Sequence, residues 1–294
     1  MSRFNQTLAA SALAAAFFAA APAHAAIDLD NIPGLGNRAF DTFATDPNGG
    51  DRSLGGTGEL FVSIIARDLA VPSGANNRSY VRDLGLSSRT FVDALRGGTL
   101  GSLAFDFAPD AALTNFLAAN AGLDISFNIT AVHNISGFDP VTFFPVDVGM
   151  LTTSGESAAS TSAKGPQNLA GFTGAEQNVE SFVQGVNLRT DGSPSGNTAL
   201  NLSATFLPGE FGFHDNNFGG SSTFGFDTEG GVGSMTDFYF YTADNDASSA
   251  IALGTWSLQG DGTLQFAPVP VPAAVWLFGS AAFAMVGLRR RRDA

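Results

Sequence analysis

The sequence predicts an all-β fold, a β-sandwich of jelly-roll-like character with two short helices. Three observations carry this. The stretch Leu123 to Ile135 alternates strictly, with Leu123, Ile125, Phe127 and Ile129 on one side and Asp124, Ser126, Asn128 and Thr130 on the other. Such period-two alternation belongs to a strand with one buried and one wet face. Phenylalanine dominates the aromatics, 27 Phe against 3 Tyr and 2 Trp, and 35 glycines supply turn positions between strands. Long helical patterns are few.

Taken in order, Glu59 to Asp68 is apolar on both faces near Ile64 and Ile65, which predicts a central strand. The segment Ser87 to Gly98 predicts a short helix, with Ser87 or Ser88 as N-cap and Gly97 as stop. Gly101 to Phe107 puts Leu103, Phe105 and Phe107 on one face of a strand. Asp110 caps a second short helix ending before Gly122, with Leu113, Phe116 and Leu117 facing the sheet. Strands are expected at Val179 to Leu188, Thr198 to Phe206 and Asp237 to Thr242. Thr255 to Phe266 predicts a hairpin that turns at Gly260-Asp261-Gly262 and points Trp256, Leu258, Leu264 and Phe266 inward. Thr152 to Gly171 and Pro208 to Gly233 are low in complexity and are expected to be long loops. No fixed-period repeat and no sharp linker divides the chain, so residues 26–267 are expected to form one domain.

The two ends differ from this body. Arg3 precedes an apolar run from Leu8 to Ala21, and Ala23-His24-Ala25 is an A-x-A site. This is the pattern of a secretory signal peptide, residues 1–25, cut by signal peptidase after Ala25 or Ala26. At the other end Pro268, Pro270 and Pro272 alternate with Val269 and Val271. Proline has no N–H and cannot sit in a continuing helix, so this is a stiff extended lead-in. Ala273 to Leu288 follows without a charge, then Arg289, Arg290, Arg291 and Arg292. A full membrane span takes about 20 residues. This block is slightly shorter, but Trp276 suits one interface and the arginines can snorkel at the other, on the cytoplasmic side. Residues 268–294 therefore read as a transmembrane helix that holds the C-terminus in while the signal sends the body out.

The tail resembles the C-terminal sorting signals of the PEP-CTERM type, and within them the VPLPA-CTERM variant. The motif stands as Val269-Pro270-Val271-Pro272-Ala273, followed by Val275-Trp276-Leu277-Phe278-Gly279 and the terminal arginines. Val271 replaces the usual leucine. The resemblance implies transient tethering in the inner membrane of a Gram-negative bacterium, and removal of the tail by an exosortase-type or other dedicated sorting protease. It also implies display at the cell surface or in the exopolysaccharide matrix of a biofilm. A permanent anchor is the alternative. The segments Leu60-Phe61-Val62-Ser63 and Tyr80-Val81-Arg82-Asp83-Leu84-Gly85, with the helix after them, are also similar to the bodies of other proteins carrying such tails. They bring no catalytic residues with them.

The whole chain has a formal net charge of −13. Without Arg3, Arg289 to Arg292 and Asp293, the body keeps 26 of 27 acids and nine of 14 bases, a net charge of −17. Between Arg96 and Arg289 the only bases are Lys164 and Arg189. Nucleic-acid affinity comes largely from basic side chains that displace counterions, so this surface disfavours it. With no cysteine, the domain has neither disulfide nor thiol metal site.

Chemistry is sparse. His133 and His214 are the histidines of the body, and no G-x-S-x-G elbow or phosphate-binding G-x-x-x-x-G-K-[ST] loop is present. His133 reads as a hydrogen-bonded core or rim residue. His214 lies beside Asp215 in a glycine-rich loop and needs further ligands to hold a metal. A glycoside hydrolase needs two carboxylates about 5–9.5 Å apart, which sequence cannot select among so many acids. Calcium takes six to eight oxygens. Asp46, Asn48 and Asp51, and separately Asp244 and Asp246, are candidate donors, although Asp, Asn and Gly also make ordinary turns. Tyr239, Tyr241 and Trp256 are candidates for stacking sugars, with a two-sided buried strand as the alternative. The expected protein is thus a non-catalytic exported protein without an obligatory cofactor. A carbohydrate-binding module, with or without Ca²⁺, is the second expectation, and a secreted hydrolase the third.

Overall fold

The computed structural model describes residues 58–138, 145–165, 169–187, 203–210, 212–216, 218, 224–243 and 248–269. Ten strands form one antiparallel sheet: β1 (Glu59–Arg67), β2 (Arg78–Ser87), β3 (Phe105–Phe107), β4 (Asp124–Phe138), β5 (Pro145–Ser154), β6 (Ser203–Phe206), β7 (Gly230–Gly231), β8 (Met235–Ala243), β9 (Ser248–Leu258) and β10 (Leu264–Pro268). The hydrogen-bonded order is β3-β10-β9-β8-β5-β4-β1-β2-β6, with β7 added beside β4. The all-β prediction holds. Where two stacked sheets were expected, the described strands follow one path and curl into a half-barrel.

The sheet is buried on both faces around β1, which explains why β1 is apolar at successive positions. Leu60, Val62, Ile64 and Ala66 enter one cluster, and Phe61 and Ile65 enter the other. The first cluster fills the space under helices α1 (Ser88–Arg96) and α2 (Ala111–Ala119). Both were expected, and with the expected caps. The Ser87 hydroxyl accepts from the Arg89 N–H, and the Asp110 carboxylate accepts from the Leu113 N–H at 2.6 Å. Phe91 of α1 wedges among rings from distant strands, edge-on to Phe238 at 5.4 Å and Phe266 at 5.1 Å. Helix α2 spans from one part of the sheet to another. Phe116 packs on Tyr80 of β2, whose hydroxyl donates to Asp110 at 2.8 Å. On its other side α2 meets the β9–β10 turn at Gly262. There φ is +90°, and a Cβ would lie 2.9 Å from Pro109 and 3.1 Å from Leu117. Glycine is required both for the backbone and for the approach.

The second cluster is covered by helix α4 (Leu169–Asn187) and by Phe213, Phe218, Phe224 and Phe226. This corrects the strand expected at Val179 to Leu188. Ala175, Val179, Phe182, Val183 and Val186 are buried apolar positions among the described side chains, a spacing of three and four that is helical rather than alternating. The loop expected at Thr152 to Gly171 is also corrected. It holds the end of β5, the start of α4, and helix α3 (Ala158–Lys164), in which the Ser157 hydroxyl accepts from the Ser160 N–H. The strand expected from Gly101 is shorter, because Leu100–Ser102 form a 3-10 turn before β3. Of the expected strand Thr198 to Phe206, β6 is its last four residues, and 198–202 lie outside the described residues. The hairpin at Thr255 to Phe266 stands as expected, with Trp256, Leu258, Leu264 and Phe266 all buried.

Strand direction gives the sheet two distinct ends. At one lie the β1–β2 connection, the β9–β10 turn and the start of β8. At the other lie Gly58, the end of β4, the start of β5, and the residues Ala243 and Ser248 that flank the β8–β9 connection.

Candidate functional site

Among the described residues, the densest cluster of ionisable groups lies at the β1–β2 end, on the face covered by α4. Arg67 is the last residue of β1, and its side chain points to the same face as Ser63. Ser126 of β4 stands opposite Ile65. β7 pairs with Ser126 and Phe127, which brings Glu229 alongside. The 3-10 turn His214–Asn216 sets His214 and Asp215 over β1. Residues far apart in sequence thus meet because the loop after β6 folds back across the sheet.

The Arg67 guanidinium joins them. It donates to Asp215 Oδ1 from Nη2 at 2.5 Å and from Nε at 3.2 Å. It donates to both Glu229 oxygens at 2.6 Å, and to the Ser126 hydroxyl at 3.0 Å. Ser126 in turn donates to Glu229 Oε2. Asn77 Nδ2 donates to Asp215 Oδ2 at 3.3 Å, and His214 Nε2 lies 3.2 Å from Glu229 Oε1. Burial works to raise the Glu229 pKa, but the bonds from Arg67, His214 and Ser126 outweigh it and hold this carboxyl well below the usual range. The site is partly desolvated, with Arg67 20%, Glu229 10% and Asp215 27% exposed.

His214, Asp215 and Glu229 offer ligand atoms within 4.8 Å of one another, a spacing that a metal ion could use. Their bonding argues against that use. All four carboxylate oxygens already accept hydrogen bonds, and a guanidinium sits between the two acids, where a cation would sit. The His214 ring is engaged at both nitrogens, Nδ1 lying 2.8 Å from the Ser63 hydroxyl. Ser63, His214 and Glu229 form a serine–histidine–acid line. Ser63 and His214 are fully buried, so no substrate atom meets that hydroxyl in this conformation. The arrangement works as an ion-paired lock fastening the His214 turn and the Glu229 segment to the edge of the core.

The other sequence candidates fall elsewhere. His133 is a core residue, its Nδ1 2.9 Å from the Ser88 hydroxyl and its ring edge-on to Phe240. Burial, with smaller contributions from Arg96 and Arg89, lowers its pKa to about 4. Its unfolded-state value is about 6.5. Between these values the unfolded chain binds a proton that the folded chain refuses. Stability therefore falls as pH drops from about 6.5 to about 4. We expect urea midpoints to decline across this window and the decline to flatten in His133→Gln. An equal decline in that variant would remove His133 as its cause.

Tyr239, Tyr241 and Trp256 do not form a sugar-stacking platform. They are 3%, 1% and 0% exposed, because both faces of β8 are covered there and Trp256 points into the core. Tyr239 donates to Asp237 at 2.9 Å, and Tyr241 packs on Phe226. The calcium candidates Asp46, Asn48, Asp51, Asp244 and Asp246 lie outside the described residues, as do Ala23, Ala25 and the tail from Pro270 onward, including Trp276 and the arginines. Among the described residues no helix is long and apolar enough to cross a membrane. Of the sorting motif only Val269 is described. It continues the β10 pairing, its N–H donating to the Leu253 carbonyl at 3.2 Å. The Arg67 lock was not foreseen. Its nearest signal was Asp215 beside His214, and nothing local points to Arg67 or Glu229 as partners. No family model, curated protein or solved structure matches the chain.

Proposed function

We propose that this is an exported, non-catalytic protein that is displayed at the cell surface or in the exopolysaccharide matrix. It is held first by its C-terminal segment and then released by a sorting protease. The observation that carries this reading is the order of parts after the last strand. β10 ends at Pro268, and the V-P-V-P-A motif, the uncharged block and the four arginines follow with no intervening domain. An acidic body without cysteines, with rings packed inside, suits a soluble globule outside the cell. The Arg67 cluster fits this reading as a fastening rather than a reaction centre.

A second reading, binding of extracellular polysaccharide, moves from the buried tyrosines to a shallow groove of about 400 Å³ on the outer face of the sheet. Asp106, Thr255, Ser257 and Gln265 offer polar groups there beside exposed Met235.

Removing residues 269–294 from the expressed gene tests the first reading. The truncated body is expected in the periplasm or medium, with loss of the alkali-resistant membrane pool seen for the full gene. Identical fractionation of both would overturn the reading.

A further inference from the structure

We infer that the sugar chain taken by the outer groove carries protonated amines, as a polymer of the glucosamine type does. The inference rests on the polysaccharide reading and adds the charge class of the ligand to it.

Strand register places the side chains of the groove. Asp106 of β3 stands opposite Gln265 of β10, Gln265 opposite Ser257 of β9, and Ser257 opposite Met235 of β8. Two residues along the strands, Ala267 stands opposite Thr255, and Thr255 opposite Asp237. Directly paired residues share a face. Both rows therefore lie together, on the side away from buried Trp256 and Phe266. Neighbouring strands are about 4.8 Å apart, so the rows span about 14 Å from β3 to β8. The short side chains of Ala267, Thr255 and Ser257 make a low floor. Asp106 and Gln265 stand on the β3 side and Met235 and Asp237 on the β8 side, all four exposed. The cover that buries Tyr239 and Tyr241 on this face stops short of Asp237.

The chemistry of floor and rim differs. The floor has two hydroxyls, and a hydroxyl both gives and takes a hydrogen bond. Ser257 Oγ accepts from Gln259 Nε2 at 3.1 Å and keeps its proton to donate. The groove is shallow and lacks the deep pocket in which a protein partner anchors an aromatic ring or an arginine. The rim is charged on both sides with one sign. Asp106 stands at one side, with Gln265 Nε2 3.4 Å from its Oδ2, and Asp237 stands at the other. No lysine, arginine or histidine lines the groove among the described residues. A uronic-acid or sulfated chain would meet like charge on both sides. A neutral chain would leave both carboxylates without a counterpart. A chain of amino sugars brings an ammonium to each rim and hydroxyls to the floor, and charge-assisted bonds of that kind are the stronger ones.

Titration calorimetry of the full-length protein in detergent micelles tests this, near pH 6 and in about 0.1 M salt so that long-range attraction is screened. The probes are the glucosamine tetramer, the N-acetylglucosamine tetramer, tetragalacturonate and tetralysine. The expected result is binding of the glucosamine tetramer about tenfold tighter than of its acetylated form, and none of tetragalacturonate. Asp106→Asn and Asp237→Asn should each weaken the glucosamine tetramer about two- to fivefold, the size of an exposed ion pair. Asp93→Asn removes the same charge from exposed helix α1, outside the groove, and should change nothing. Equal affinity for both amino-sugar tetramers, unmoved by the two groove variants, overturns the amine and leaves the polysaccharide reading standing. Tetralysine bound as tightly as the glucosamine tetramer, or an equal loss in Asp93→Asn, shows attraction to any polycation and overturns the inference. Binding of no sugar at all overturns the polysaccharide reading and the amine together.

Discussion

Arg67→Ala is expected to lower the unfolding free energy by about 3 kcal/mol. Removing one partner of a desolvated ion pair typically costs about 3–5 kcal/mol, because the charges left behind are neither solvated nor paired. The lower figure applies here because Arg67 and Asp215 are 20% and 27% exposed and water can partly reach them. The loss comes from Glu229 and Asp215, which would face each other without the guanidinium between them. Arg67→Lys should fall between, since an ammonium keeps the charge but cannot hold both acids and Ser126 in the same planar fork. Acid should act on the same cluster. The folded-state pKa of Glu229 is depressed, so its contribution is present above the unfolded value of about 4.3 and is lost as pH falls below it. Urea unfolding of the wild type and both variants at neutral pH and near pH 3 checks this. An Arg67→Ala loss under about 1 kcal/mol would show that the cluster fastens nothing.

Phe91→Ala is expected to cost about 3–5 kcal/mol, the range for emptying a buried aromatic position. Its ring is fully buried and touches Phe105, Phe238 and Phe266, which come from β3, β8 and β10. The space left is bounded by strands hydrogen-bonded to their neighbours, so it cannot close by moving one loop. Phe91→Leu should recover most of the loss, since it refills much of the volume. Denaturant unfolding gives both values. A near-neutral alanine variant would mean that α1 does not pack the interior of the half-barrel.

Much of the fold was legible because its signals are local. The strand over Leu123 to Ile135, the Ser87 and Asp110 caps and the β9–β10 hairpin each depend on a few neighbouring residues, and each appears in the structure. The strand's polar side, expected to be wet, is instead buried: Asn128 and Thr130 are fully covered, and Asn128 donates to Thr152 and to the Thr228 carbonyl. α4 was misjudged by applying a period of two to a segment whose buried residues, from Ala175 to Val186, repeat at three and four. One sheet cannot be told from two by pattern, because a sheet buried on both faces and a sandwich both produce strands such as β1. The single sheet follows from non-local pairing, including β10 with β3 and β2 with β6. The Arg67 lock was hidden for the same reason: its members come from β1, β4 and the long loop after β6, 148 and 162 residues separating Arg67 from Asp215 and Glu229. The buried state of Tyr239, Tyr241 and Trp256 was one of two readings of an aromatic strand. It is decided by α3, α4 and the Phe-rich loop on one side and α1 on the other.

Intact mass spectrometry of the protein recovered from its native cells tests the central claim most directly. The account predicts a mature chain that begins at Ala26 or Ile27 and ends near Pro272-Ala273, found outside the cytoplasm. Full-length chain from Met1 to Ala294, dissolved in the cytoplasm, would contradict it.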